Sequence, residues 1–190
     1  MTLATTPRIS TWSIDPAHTD IQFSAKHMMV TTVRGKFQDV SGTLTIVEDD
    51  PTLSRGEIRI AAASLNTGVE PRDNHLRSAD FFDAANHPEI VFTISDVAAI
   101  SDETYRVTGH LTIRGTTRPV TFDANFLGFY EGMQGGRRAG FDARLKINRK
   151  DWSLGWNVAL EKGGWLVGED VSIELDVAFD QAVEATAAAA

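Results

Sequence analysis

The sequence predicts an all-β protein: an antiparallel sheet of about eight strands curled into a barrel, with one short helical insert. Three observations carry that reading. Apolar residues recur at every second position through most of the 190-residue chain, turn residues separate the runs, and one internal segment breaks the period. A period of two gives each strand one apolar face and one charged or hydroxylated face. With few helices to cover them, the apolar faces must meet, either in two stacked sheets or around a closed barrel. Closure leaves no exposed edge, and the strand count, the long mid-chain strands and the lone helical insert favour it.

Residues 1–10 carry no strand pattern and read as a disordered N-terminal arm, ahead of a domain spanning 11–180. The first strand is Thr11 to Ile14. In the next, Ile21, Phe23 and Ala25 alternate with Asp20, Gln22, Ser24 and Lys26. A long run from Gly35 to Val47 follows, with Leu44 and Ile46 opposite Thr43 and Thr45, and then Glu57 to Ser64, with Ile58, Ile60 and Ala62 on one face. The segment Pro71 to Phe82 lacks period two and begins at a proline, which the first turn of a helix accepts. It reads as a short helix laying Leu76, Phe81 and Phe82 on the sheet.

The strand from Ile90 to Val97 precedes the clearest hairpin of the chain. There Leu111 and Ile113, then Val120, Phe122, Ala124 and Phe126, share one face of Tyr105 to Arg114 and Pro119 to Tyr130. Ala139 to Asn148 presents Phe141, Ala143, Leu145 and Ile147, and Val171 to Phe179 closes the series. Residues 181–190 form an Ala-rich tail, too short to hold a helix alone.

Composition excludes several functions. A formal net charge of -8 argues against a phosphate-backbone surface, and the pair Arg137-Arg138, in a Gly-rich loop, reads as solvated charge, so no nucleic acid partner is expected. The chain has no cysteine, hence no disulfide, thiol nucleophile or thiolate metal site. No window approaches the roughly 18 apolar residues of a membrane span and the N-terminus has no apolar leader, so a soluble, cytoplasmic protein is expected.

The five histidines, His18, His27, His75, His87 and His110, form no HExxH and no pair separated by one residue, so neither a metal nor a cofactor is expected. His75, between Asp73 and Asp80, is the best-placed acid or base, against the plainer reading of a helix-surface residue. Asp15 and His18 straddle Pro16 in a tight turn, where an aspartate satisfies backbone donors. There is no GxSxG, GxGxxG or GxxxxGK spacing, and no catalytic residue is assigned. By parity Phe23, Phe92, Phe122, Phe126, Phe141 and Phe179 all face inward, where they either fill a solid core or line a cavity.

Four stretches, in order, carry a resemblance. They are Trp12 to Val30 (WSIDPAHTDIQFSAKHMMV) with Val33-Arg34-Gly35-Lys36-Phe37; Arg72 to Asp83 (RDNHLRSADFFD) continuing through His87-Pro88-Glu89-Ile90-Val91-Phe92; Val107 to Gly115 (VTGHLTIRG); and Ile147-Asn148-Arg149-Lys150-Asp151-Trp152. Together they resemble the YceI-like family of lipocalin-like proteins over residues 12 to about 179. The resemblance implies an extended lipocalin-like barrel that holds a long-chain polyisoprenoid or fatty-acid derivative as a carrier or sequestering protein, and it suggests a homodimer. Two features depart from the family pattern: many members carry a signal peptide, and Trp152-Ser153 stands where Phe-Gly is commoner.

The resemblance turns the inward face into the expected wall of a tunnel, lined by Phe23, Ile60, Phe92, Leu111, Phe122, Phe126, Phe141 and Leu145. A polar head group would then meet residues near strand ends or on the insert: His27, Arg34, Arg72, His75, Arg114 or Arg149, an arginine suiting a pyrophosphate or carboxylate. Two other readings stay open: an enzyme acting on a lipid or isoprenoid with His75 as base, and a solid-core stress-response interaction domain.

Overall fold

A computed structural model describes residues 8–131 and 136–182. The period-two runs become eleven strands: β1 (Ile9–Ile14), β2 (Asp20–His27), β3 (Thr31–Phe37), β4 (Val40–Val47), β5 (Arg55–Ala61), β6 (Leu65–Asn66), β7 (Glu89–Ala99), β8 (Thr104–Ile113), β9 (Thr116–Glu131), β10 (Arg137–Asn148) and β11 (Val167–Gln181). One α-helix, α1 (Glu70–Arg77), lies between β6 and β7. The expected arm and tail lie largely outside the described residues, although β1 already begins at Ile9.

Eight strands, in the order β1-β4-β5-β7-β8-β9-β10-β11, close on themselves where Trp12 faces Gln181 and Ile14 faces Phe179. The expected barrel is therefore the fold. Lower down, β2 takes the place of β1 beside β11, with Ile21 opposite Leu175, and β3 and β6 continue outward from it. The handover is made by Asp15, whose N–H donates to the Ala178 carbonyl at 2.9 Å while its side chain accepts from the Ala17 N–H at 2.9 Å and starts a short 3-10 turn.

The run expected as one strand from Gly35 to Val47 is two. Phe37 and Val40 are both buried, and residues three apart cannot share a face of one unbroken strand, so the chain kinks at Gln38-Asp39. The same displacement separates β5 from β6, where Ala62–Ser64 form a 3-10 turn. The hairpin between β8 and β9 is tighter than expected. Its turn is Arg114-Gly115 alone, both at positive φ as a two-residue hairpin turn requires, and Thr116 to Arg118 already belong to β9.

The helix is shorter than expected, ending at Arg77, and the chain then turns so that Phe81 is buried and Phe82 half-buried. What fixes it is polar. Buried Asp73 accepts from the Thr67 N–H at 2.9 Å and its hydroxyl at 2.5 Å, and Arg77 donates to the carbonyls of Ala63 and Leu65 at 2.8 and 2.6 Å. At the same end of the barrel, β9 and β10 pair only as far as Ala124 and Ala143. Below that fork the segment after β10 fills in, with Trp152 buried and its indole N–H donating to the Leu111 carbonyl at 2.9 Å. Ser153, beside it, stands at φ 62°, the backbone that glycine adopts without strain.

Candidate functional site

The barrel is not filled. A chamber of about 490 Å³, within the size range of small-molecule pockets, occupies its upper half, and a second of about 160 Å³ lies below it. Ile58, Phe92, Phe122 and Leu175 line both and form the waist between them. The Phe92 and Phe122 rings lie side by side on its wall, from the two strands flanking β8, with centroids 5.5 Å apart and planes tilted by 46°.

All eight residues expected to line a tunnel border one chamber or both. Phe126 and Phe141 wall the upper chamber, Phe23, Ile60, Leu111 and Leu145 the lower, and Phe92 and Phe122 the waist. Room in the upper chamber comes from small residues: Ala124 of β9 and Ala143 of β10 sit opposite each other on its wall, where larger side chains would fill the space.

The expected head-group residues fare differently. Arg149 borders the lower chamber, but its guanidinium is buried and donates to the carbonyls of Gly168 at 2.9 Å, Val167 at 3.4 Å and Leu154. Burial pulls its pKa below the ordinary arginine value, partly offset by Glu169. It stitches the end of the barrel together. Arg72 donates to the Thr67 hydroxyl at 2.7 Å and carbonyl at 3.0 Å, and Arg114 to the Ser153 carbonyl at 3.2 Å, so both serve the loops beside them. His27 and Arg34 border neither chamber: Arg34 lies on the outward face of β3, and His27, although it shares the parity of Phe23 and Ala25, stands beyond them at the end of β2.

His75 also lies outside both chambers. Its Nε2 is 2.9 Å from Asp80, while Asp73 is committed to Thr67, and its ring stands edge-on to Phe81 and Trp156 at 5.1 and 4.6 Å. The run RDNHLR thus fastens α1 to the barrel, with the imidazole held between Asp80 and the Phe81 and Trp156 rings.

The polar groups at the upper mouth are others. Arg137, expected as solvated loop charge, is the first residue of β10 and points inward: its guanidinium lies 4.1 Å from the Phe129 ring centroid and 5.6 Å from that of Trp12. It donates to Glu48 at 2.9 Å, across the mouth from β10. Arg8 binds Asp49 through its backbone N–H at 2.9 Å and its guanidinium at 3.0 Å, which holds the Asp49 carboxyl below the usual carboxylate range. Asp102 and Tyr105 complete the rim. The signal for Arg137 was present in the sequence, since it shares the inward parity of Ala139, Phe141 and Ala143; the glycines before it hid the start of the strand. Its neighbour Arg138 faces the other way, onto Asp15 at 2.6 Å and Asp180 at 2.8 Å.

No cluster of metal-ligating side chains is present among the described residues, and no helix there is long and apolar enough to cross a membrane.

A family model described as a YceI-like domain matches residues 12–179. Protein YceI of Escherichia coli O157:H7 is 38% identical over 137 residues, which cover 72% of this chain and 71% of that protein. Among solved structures, BcnA of Burkholderia cenocepacia matches with a TM-score of 0.74 at 24% identity, covering 87% of this chain and 98% of its own. A polyisoprenoid binding domain from Saccharophagus degradans, implicated in plant cell wall breakdown, matches with a TM-score of 0.67 at 16% identity, over 92% and 100% of the two chains. At these identities the two structures speak to the fold.

Proposed function

We propose that this chain, which belongs to the YceI-like domain family, holds the hydrocarbon tail of a long-chain amphiphile, a polyisoprenoid or fatty-acid derivative, inside its barrel as a carrier or sequestering protein. The observation that carries the reading is the upper chamber with its apolar wall, continued through the Phe92–Phe122 waist into the lower one. A tail laid along that axis gains roughly 0.8 kcal/mol per buried methylene, so ten methylenes contribute about 8 kcal/mol, which is micromolar affinity before any head-group contact. The solved domain described as polyisoprenoid binding shares this fold and adds support.

The head group belongs at the upper mouth, beside Arg137 and Tyr105, where it must compete with Glu48 for the guanidinium. The reading includes a cytoplasmic homodimer, which cell fractionation and light scattering test. For the ligand itself, the protein is purified under native conditions, extracted with organic solvent and the extract analysed by mass spectrometry. A single-tailed amphiphile in near-stoichiometric amount is expected. An empty extract, together with no saturable binding of a fluorescent fatty acid by the delipidated protein, overturns the proposal.

A further inference from the structure

The lower end of the barrel carries a feature that the ligand chamber does not explain. The three residues joining β2 to β3 are Met28, Met29 and Val30, and all are exposed, Val30 by 77% and Met29 by 60%. Met28 and Met29 stand at φ 49° and 65°, in the left-handed region that unbranched L side chains occupy at a cost of about 1 kcal/mol each or more. Neither glycine nor asparagine is used there, although either would relieve the strain. The backbone is held in a strained turn that presents apolar side chains to solvent.

A second segment extends the same surface. The Met28 N–H donates to the Leu166 carbonyl at 2.8 Å, and a side-chain atom at Gly164 would come within 3.3 Å of the Met29 Cγ, so the loop between β10 and β11 is laid against the hairpin tip. That loop adds Trp165 and Val158, both nearly half exposed, beside the tip: Leu166, which accepts from Met28, follows Trp165 and donates to the Val158 carbonyl at 2.9 Å.

Charge tells what covers it. Lys26, Arg34 and Lys36 follow one another along the outward face of β2 and β3 leading from the tip, and Lys162 lies in the turn before Trp165; all four are exposed. Their cross-strand neighbours on β2, β3 and β6 are Thr32, Ser24, Gln22 and Asn66, none of them acidic. The nearby carboxylates Glu169 and Asp170 are taken up by Lys150 and Lys146, which leaves Glu161 as the acid of the turn. On a protein of net charge -8, this end is basic. Apolar side chains with a tryptophan at their edge and lysines around them match an anionic bilayer surface, in which the apolar groups enter the acyl boundary and the cations meet head groups. A protein partner of acidic character would need no such run of exposed methionine, methionine and valine.

We propose that the tip Met28-Met29-Val30, with Trp165 and Val158, docks this protein on an anionic lipid bilayer. The tip stands at the lower-chamber end of the barrel: Ala25 and Val167 line that chamber, and Val167 pairs with His27, the last residue before the tip. The bilayer would therefore meet the end of the barrel away from the upper mouth, beside residues that wall the lower chamber.

The test is sedimentation of the full chain with vesicles of phosphatidylcholine alone and with one-third phosphatidylglycerol. Binding to the anionic vesicles, weakened by salt, is expected. Met29→Asp with Val30→Asp should weaken it about tenfold or more, since a charge replaces apolar burial at each position. Lys26→Glu with Lys162→Glu should weaken it while leaving the apolar patch intact, and a blue shift of tryptophan emission on binding should vanish in Trp165→Phe. Absence of binding to either vesicle, or unchanged binding by the aspartate variant, overturns the proposal. So does a dimer in light scattering that the aspartate variant splits while vesicles leave the wild type in solution, because the patch is then a self-association surface. Fluorescent fatty-acid binding is measured in parallel on every variant: docking without fatty-acid binding overturns the ligand reading alone, and fatty-acid binding without docking overturns this one alone.

Discussion

The ring of Phe92 lies against the backbone of Gly109 on the neighbouring strand, so closely that a Cβ at position 109 would stand 2.4 Å from its Cε2 and 2.5 Å from the Thr93 carbonyl oxygen. The glycine is what lets the ring fold down along the barrel wall and leave the waist open. Gly109→Ala should push Phe92 into the lumen and strain β7 against β8, lowering stability by about 1–3 kcal/mol. Denaturant unfolding reads the loss, and binding of a series of fatty acids of increasing length should show the longer ones losing their advantage.

Ala143 lies on the upper chamber wall opposite Ala124, with open space in front of it. Ala143→Phe should occupy that space without the overpacking penalty of a filled core, leaving the melting temperature near that of the wild type. Affinity for a fluorescent fatty acid should fall by about tenfold or more, because an apolar volume equal to several methylenes is no longer vacant. An unchanged affinity would place the ligand elsewhere.

Arg149 closes the lower end by donating to three carbonyls, that of Leu154 in the segment after β10 and those of Val167 and Gly168 at the start of β11. Arg149→Met keeps the length of the side chain and removes the donors, leaving buried acceptors unpaired at a cost of about 2–4 kcal/mol. Thermal and urea unfolding measure it. If the residue instead held a head group, stability would be unchanged and affinity would drop.

Asp15 holds the handover from β1 to β2, and although burial pushes its carboxyl up, the His18 and Ala17 hydrogen bonds and the Arg138 charge outweigh it and hold the pKa below the ordinary value. A carboxylate whose pKa is depressed on folding stabilises the fold above its unfolded pKa and loses that contribution as pH falls below about 4. Asp15→Asn should therefore be less stable than the wild type at pH 7, with the difference shrinking through that acid range. Urea midpoints at pH 7 and pH 3 test the sign.

Much of the wall was legible from alternation alone. Phe126, Phe141, Leu111 and Leu145 face the lumen because successive side chains of a strand point to opposite sides, a property of local backbone geometry. The mouth was not legible in the same way. Arg137 and Glu48 are 89 residues apart, and nothing local to either announces the other. The residues chosen for a head group were chosen for lying near strand ends, yet Arg72 and Arg114 spend their donors on loop carbonyls, because a turn leaves backbone acceptors that a nearby guanidinium can satisfy.

By itself the sequence determined the fold class, the inward faces and the resemblance that named the family, since periodicity and motif order are written along the chain. Whether the inward residues meet one another or enclose a space was decided by the tertiary structure. Eight strands closing at Trp12–Gln181 set a circumference, and the alanines at 124 and 143 supply too little volume to fill it. The same closure decided which charges guard the mouth, by bringing the end of β4 and the start of β10 within reach across the opening.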